Sequence, residues 1–243
     1  MKKIIALSLS VAICTALATM PLVPASSTAH AAATKELVQI SEQAQYYGEV
    51  TNGVPNGRGT IQWGDSKQYS GDFMNGKREG SGKYINEYTQ DGEQHKVVYN
   101  GTWKQDKMEG KGTLTHKVTQ EDGEVIWNEI QTGTFKNGVL QSGYDVIHAL
   151  ADPDYSFTYK NGNEKLEILG TNSGLKESLQ KGTLFSIKYR NGSVNKLYSS
   201  FPADTKSEQR KLDEALKYLK GIQKKLNPHM DEFERLSKQV PLK

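Results

Sequence analysis

The segment YSGDFMNGKREGSGKY, residues 69–84, decides the fold, because its spacing recurs along the chain. Written by position it is Tyr69-x-Gly71-x-Phe73-x-x-Gly76-x-x-x-Gly80-x-Gly82-x-Tyr84. The same frame holds Tyr46, Gly48, Val50, Gly53, Gly57, Gly59 and Ile61 upstream. Downstream it holds Tyr99, Gly101, Trp103, Asp106, Gly110, Gly112 and Leu114, and a weaker copy, Gly133-x-Phe135-x-x-Gly138, follows. Units this short bury an apolar face only against their neighbours, so a regular repeat implies a continuous array.

Within a unit Tyr69, Gly71 and Phe73 stand at alternate positions, which in a strand share one face. The return segment Gly80-x-Gly82-x-Tyr84 alternates likewise. This predicts a β-hairpin, with glycines that let the aromatic rings of a neighbouring hairpin lie directly on the backbone. Asn-Gly pairs at 52–53, 56–57, 75–76, 137–138, 161–162 and 191–192 supply hairpin turn chemistry. The expected fold is mainly β: a single-layer antiparallel meander of hairpins, followed by two short C-terminal α-helices. Where linkers lengthen, at 86–98 and 116–130, hairpins reaching beyond the sheet are expected.

These residues resemble the MORN repeat, a β-hairpin unit of pattern Tyr-x-Gly-x-Trp/Phe-x-x-Gly-x-x-x-Gly-x-Gly-x-Tyr. The resemblance covers roughly 46–138 and departs from the pattern at Val50, at Asp106 and, in the fourth copy, at Gln131 and Ser142. It implies an adaptor, oligomerisation or membrane-lipid surface rather than one ligand. The expected organisation is a signal peptide over 1–31, a lead-in over 32–45, MORN-type hairpins over 46–144, degenerate hairpins continuing the sheet over 145–201, and a helical segment over 202–243.

The leader reading rests on Lys2 and Lys3, an apolar run Ile4 to Leu17, and small residues at Ala29 and Ala31. Cleavage is expected after Ala31, with Ala32 or Ala33 as near alternatives. A membrane anchor is the rival reading, opposed by the small, polar, proline-bearing tract 20–28. Cys14 is the only cysteine; Ile13 before it disfavours lipidation, and a chain cleaved after Ala31 has no disulfide or thiolate chemistry. Export would place the protein outside the cell or on its envelope. Removing Lys2 and Lys3 takes the formal charge from +3 to +1, so no global field favours nucleic acid.

After Pro202, Thr205-x-x-Glu208 fits a capping box, and Leu212, Ala215, Leu216, Leu219, Ile222 and Leu226 share a helical face. Asn227-Pro228 resembles a fresh N-cap with proline at the first helical position, and Met230, Phe233 and Leu236 form a second stripe. These helices are expected to cover an open end or face of the sheet. Self-association through the stripe and lipid contact through Lys217, Lys220, Lys224 and Lys225 are the alternatives.

No catalytic constellation is evident. Gly170-Thr171-Asn172-Ser173-Gly174 has the wrong spacing for a nucleophile elbow or phosphate loop. His95, His116, His148 and His229 lack metal-ligand spacing, so neither metal nor cofactor is expected. Glu79 and Glu109 precede the same repeat glycine and would form a carboxylate row if the units stack. Trp63 and Trp127 fall outside the fixed repeat positions and are the candidate exposed contacts for a sugar or peptide. The expectation is an exported, non-enzymatic binding or scaffold protein with a protein or cell-wall partner. Membrane association is the alternative, and a hydrolase with an unrecognised site the third reading.

Overall fold

The computed structural model describes residues 34–242, so the leader expectation, its cleavage site and Cys14 lie outside the described residues. The strands run β1 (Thr34–Ser41), β2 (Ala44–Thr51), β3 (Val54–Trp63), β4 (Lys67–Met74), β5 (Lys77–Gln90), β6 (Glu93–Lys104) and β7 (Lys107–Thr119). They continue as β8 (Val125–Lys136), β9 (Val139–Ala149), β10 (Tyr155–Asn161) and β11 (Glu164–Gly170). Then come α1 (Leu175–Lys181), β12 (Ser186–Asn191), β13 (Val194–Ser199), α2 (Lys206–Gly221) and α3 (Gln223–Ser237). The 13 strands of the described residues form one sheet in sequence order, each antiparallel to the next. The lead-in is itself the first strand, with Leu37 opposite Tyr47. The long linkers extend their ladders, so β5 has 14 residues where β4 has 8.

Turn chemistry sets the register. Asn52-Gly53, Asn75-Gly76 and Asn137-Gly138 all hold positive φ at both turn residues, the type I′ geometry that matches strand twist. The third unit has Gln105 and Asp106 there, at φ 49 and 67. Asp106 tolerates this strained region because its carboxylate accepts from the Arg78 backbone N–H at 3.0 Å and from Arg78 Nε at 3.1 Å.

Eight glycines pair in one unbroken cross-strand row: Gly48, Gly59, Gly71, Gly82, Gly101, Gly112, Gly133 and Gly143. The tyrosine rings lie on them, but within their own hairpin rather than in a neighbour's slot. A Cβ on Gly82 would stand 2.3 Å from Tyr69 Oη, and one on Gly59 2.3 Å from Tyr46 Oη. Each tyrosine folds back because its hydroxyl donates to a carbonyl three residues on: Tyr46 to Glu49 at 2.7 Å, Tyr69 to Asp72 at 3.0 Å, Tyr99 to Thr102 at 3.1 Å. From the second unit on, the second aromatic does reach its neighbour, and Trp103 Nε1 donates to the Gly82 carbonyl at 3.2 Å. Edge-to-face contacts then run in one chain from Tyr46 through Phe73, Tyr69, Trp103 and Tyr99 to Phe135, with centroids 4.9 to 5.3 Å apart.

The sheet has two cores on opposite faces. Phe135 belongs to the aromatic cluster of the repeats, while Ile130 belongs to a cluster with Phe157, Ile187, Leu219 and Phe233. Five residues apart on one regular strand, the two side chains point to opposite sides. The first face is filled by the sheet's own rings from β2 to β9; the second is covered by α1, α2 and α3 over β8–β13. The faces exchange roles near β8 and β9, which leaves the second face open over the repeats.

The two expected C-terminal helices are present. Most of their apolar stripe is buried against the sheet, with Leu219, Leu226, Met230 and Phe233 at 0% exposure and Leu212, Leu216 and Ile222 half-buried, so the buried part is not free for self-association. Thr205 caps α2, its hydroxyl accepting from the Glu208 N–H at 3.2 Å. α3 begins at Gln223 rather than at Pro228, which lies inside the helix. Burial of Leu226 one turn before Met230 holds that first turn helical against the proline's preference. The seven-residue α1 was not expected; Leu175 and Leu179 are buried, and the Leu175 N–H is capped by Glu234 Oε1 at 2.9 Å.

Candidate binding surfaces

The repeat pattern divides its residues between the faces. Fixed positions build the ring-and-glycine face; every x beside a glycine points to the other one. Tyr47, Thr60, Ser70, Lys83, Asn100, Thr113 and Thr132 therefore form one row on the open face. Thr60 and Ser70 share a hydrogen bond at 2.8 Å, as do Thr113 and Thr132 at 3.1 Å. Between this row and the next lies a trough floored by glycine backbone. One stretch of about 530 Å³ runs from Lys35 to Asn100 and a second of about 410 Å³ from Asn100 to Thr134.

The carboxylate row exists and is already occupied. Glu79 Oε2 accepts from the Gln105 N–H and Glu109 Oε2 from the Asn137 N–H, both at 2.9 Å. Asn56 Oδ1 does the same for the Asn75 N–H at 3.3 Å. The residue before the repeat glycine thus ties each turn to the next, which explains why asparagine or glutamate serves equally.

Trp63 and Trp127 are both half-buried on the ring face. Trp63 faces Lys67 and Arg78, with Lys67 Nζ 5.1 Å from its ring centroid. The Arg78 guanidinium lies 4.3 Å from the Trp103 centroid and is closed in by Tyr69 and Tyr84. Trp127 Nε1 donates to Glu129 Oε2 at 3.4 Å.

Around Trp127 strand pairing assembles residues distant in sequence. His95 and His116 share a hydrogen bond at 3.0 Å, and His116 Nδ1 lies 3.9 Å from Glu129 Oε2. Gln131 Nε2 donates to Glu129 Oε1 at 2.7 Å and to Asp145 Oδ2 at 3.3 Å. Burial, reinforced by the Glu129 charge, pushes the Asp145 carboxyl up to about 7. Burial lowers His116, with His95 acting in the same direction and Glu129 against it. Residue spacing did not reveal this cluster; the register of Val97 with His116 and of Gln131 with Asp145 makes it.

The helix lysines divide. Lys217 and Lys224 are exposed and Lys220 half-buried. Lys225 turns to the sheet, its Nζ 2.8 Å from Glu164 Oε1 and from the Tyr189 hydroxyl. Lys225 is exposed as well, with its ammonium held by that pair.

The sequence frame, its hairpins and its glycine row coincide with the MORN repeat family, which matches residues 46–68, 69–86 and 99–117. The chain carries MORN repeats. It is 38% identical to human alsin over 104 residues, which are 42% of this chain and 6% of alsin. It is 41% identical to MORN repeat-containing protein 3 of Xenopus laevis over 70 residues, 28% of this chain and 29% of that protein. Human ALS2 C-terminal-like protein is 29% identical over 117 residues, 48% of this chain and 11% of that protein. The chain thus spans less than a third of each of these relatives, and the likeness is one of repeats. Past the matched residues, β8 and β9 keep the glycine row through Gly133 and Gly143, and β10 to β13 continue the same sheet with Phe157 and Ile187 in place of the inner glycine.

Proposed function

We propose that this chain is an exported, non-enzymatic binding protein of the cell envelope that holds its partner on the open face of the MORN repeats. The observation that carries this reading is the division of the pattern between faces. Ring and glycine positions are consumed in building the sheet, whereas the x positions stand in solvent along an uncovered trough. A surface whose residues vary while its scaffold stays fixed suits recognition. Export rests on the leader features of residues 1–31. The non-enzymatic reading is supported by the committed state of Glu79 and Glu109, whose carboxylates accept backbone amides.

A second reading has one specific support. Lys217, Lys220 and Lys224 cluster where α2 meets α3, outside the stripe buried against the sheet, and such a patch suits anionic lipid. Co-sedimentation of the chain from Ala32 onward with cell-wall material, and separately with anionic liposomes at two salt concentrations, separates the two. Wall binding that is lost in Ser70→Tyr and Thr113→Tyr variants supports the open face. Binding to liposomes alone, at low salt alone, supports the helix lysines and ends the first reading.

A further inference from the structure

The trough carries a charge pattern that the repeat does not require. Lys35 on β1, Arg58 on β3, Lys83 on β5 and Lys111 on β7 line it, all four exposed, and no acid lines either stretch. The cations fall on every second strand. Strands lie about 4.8 Å apart, so successive cations recur about every 10 Å along the trough. The two acids of the bordering row sit beside two of these cations, Asp72 paired with Arg58 and Glu49 opposite Lys35 in register. Asp72 Oδ2 accepts from the Ser81 N–H at 2.9 Å while its Oδ1 lies 3.4 Å from Arg58 Nε, and the Glu49 side chain lies over Gly57. Among the described residues, no ion pair or side-chain hydrogen bond engages the ammonium groups of Lys35, Lys83 or Lys111.

The rest of the lining is the exposed Tyr47 ring at one end, hydroxyls, an amide and glycine backbone, with Thr60, Ser70, Asn100, Thr113 and Thr132 between the cations. That is a surface for a hydroxyl-rich chain rather than an apolar one. A charge every 10 Å, the length of a disaccharide, is far sparser than the phosphates of a nucleic acid. We propose that the open face binds a linear acidic polysaccharide bearing one carboxylate per disaccharide, laid across the strands along the trough. Each carboxylate meets one of the four cations and the intervening sugar hydroxyls meet the threonine, serine and asparagine row. This ligand class rests on the reading of the open face as the binding surface.

The test uses hyaluronan oligosaccharides, which carry one carboxylate per disaccharide, titrated into the chain from Ala32 onward by calorimetry at two salt concentrations. Affinity is expected to rise with each disaccharide up to the octasaccharide, which presents four carboxylates, and then to level off. Lys83→Ala or Lys111→Ala is expected to weaken octasaccharide binding roughly three- to tenfold, and the triple variant with Lys35→Ala by roughly a hundredfold, with a shallower salt dependence. Unchanged circular dichroism shows that these exposed changes leave the sheet intact. Affinity independent of length, or undiminished in the triple variant, overturns the proposal. So does tighter binding of alginate, whose charges recur on every sugar. If Ser70→Tyr abolishes sedimentation with wall material while no hyaluronan binds, the ligand class fails and the surface stands. If neither Ser70→Tyr nor the triple variant affects wall binding, the surface reading itself fails.

Discussion

Replacing Gly82 by alanine should be among the most damaging single-methyl additions to the repeats. The new Cβ would stand 2.3 Å from Tyr69 Oη and 2.4 Å from Cε2 and Cζ of the same ring. These distances are closer than contact permits, so the ring must leave. It is 0% exposed, donates to the Asp72 carbonyl at 3.0 Å and meets Phe73 and Trp103 edge-to-face at 5.1 and 5.2 Å. Two aromatic pairs contribute about 0.5–1.5 kcal/mol each, and the hydrogen bond about 1 kcal/mol. Against this, alanine gains about 0.5–1 kcal/mol over glycine in a strand. A net loss of about 1–3.5 kcal/mol follows. The assay is urea unfolding followed by tryptophan fluorescence, with Gly82→Ala made in the wild-type chain and in Tyr69→Ala. In the second background the methyl has no ring to displace, so its cost should fall to near zero or change sign. An equal cost in both backgrounds would refute the ring-on-glycine account. Gly221→Ala, with no atom within 4 Å of the added Cβ, should leave stability unchanged or raise it by up to about 1 kcal/mol.

Asp106→Ala should cost about 1–2 kcal/mol in the same unfolding assay, because it leaves alanine at φ 67 and strips the carboxylate from Arg78, whose side chain is 19% exposed; no change would mean that the turn does not depend on that contact. Asp145, raised by burial and by Glu129, contributes stability that is full below pH 3.8 and is lost as pH rises through about 7. Asp145→Asn should remove that component of the pH dependence and stabilise the chain above pH 7; unfolding curves with the wild-type slope would contradict it. Phe233→Ala should cost about 3–5 kcal/mol, since the ring is fully buried between α3 and the sheet, and a cost below about 1 kcal/mol would show the helix to be loosely docked.

The repeat half was legible because its signals are local. Tyr69, Gly71 and Phe73 declare a strand face by spacing alone, and Asn75-Gly76 declares the turn. Where each ring lies depended on a contact that spacing does not encode, the hydroxyl-to-carbonyl bond that folds Tyr69 over its own Gly82. The carboxylate row was visible in Glu79 and Glu109, but its use appears only when adjacent turns are brought together. α1 escaped notice because seven residues give only Leu175 and Leu179 as a helical signal. Pro228 marked a helix start that burial of Leu226 overrode. The polar cluster of His95, His116, Glu129 and Asp145 is a product of register, and only strand pairing gathers it.

The sheet's two faces exchange roles, leaving the repeat half of one face open while the helices cover the other half. Thiol labelling of single-cysteine variants tests it directly, in a chain whose own Cys14 is changed to serine. Ser70→Cys on the open face should react at the rate of a free thiol. Val146→Cys beneath the helices and Phe135→Cys in the ring face, both buried, should react only as fast as the protein unfolds. Labelling of Val146→Cys as fast as Ser70→Cys would contradict the account, because the helices would then not cover that face.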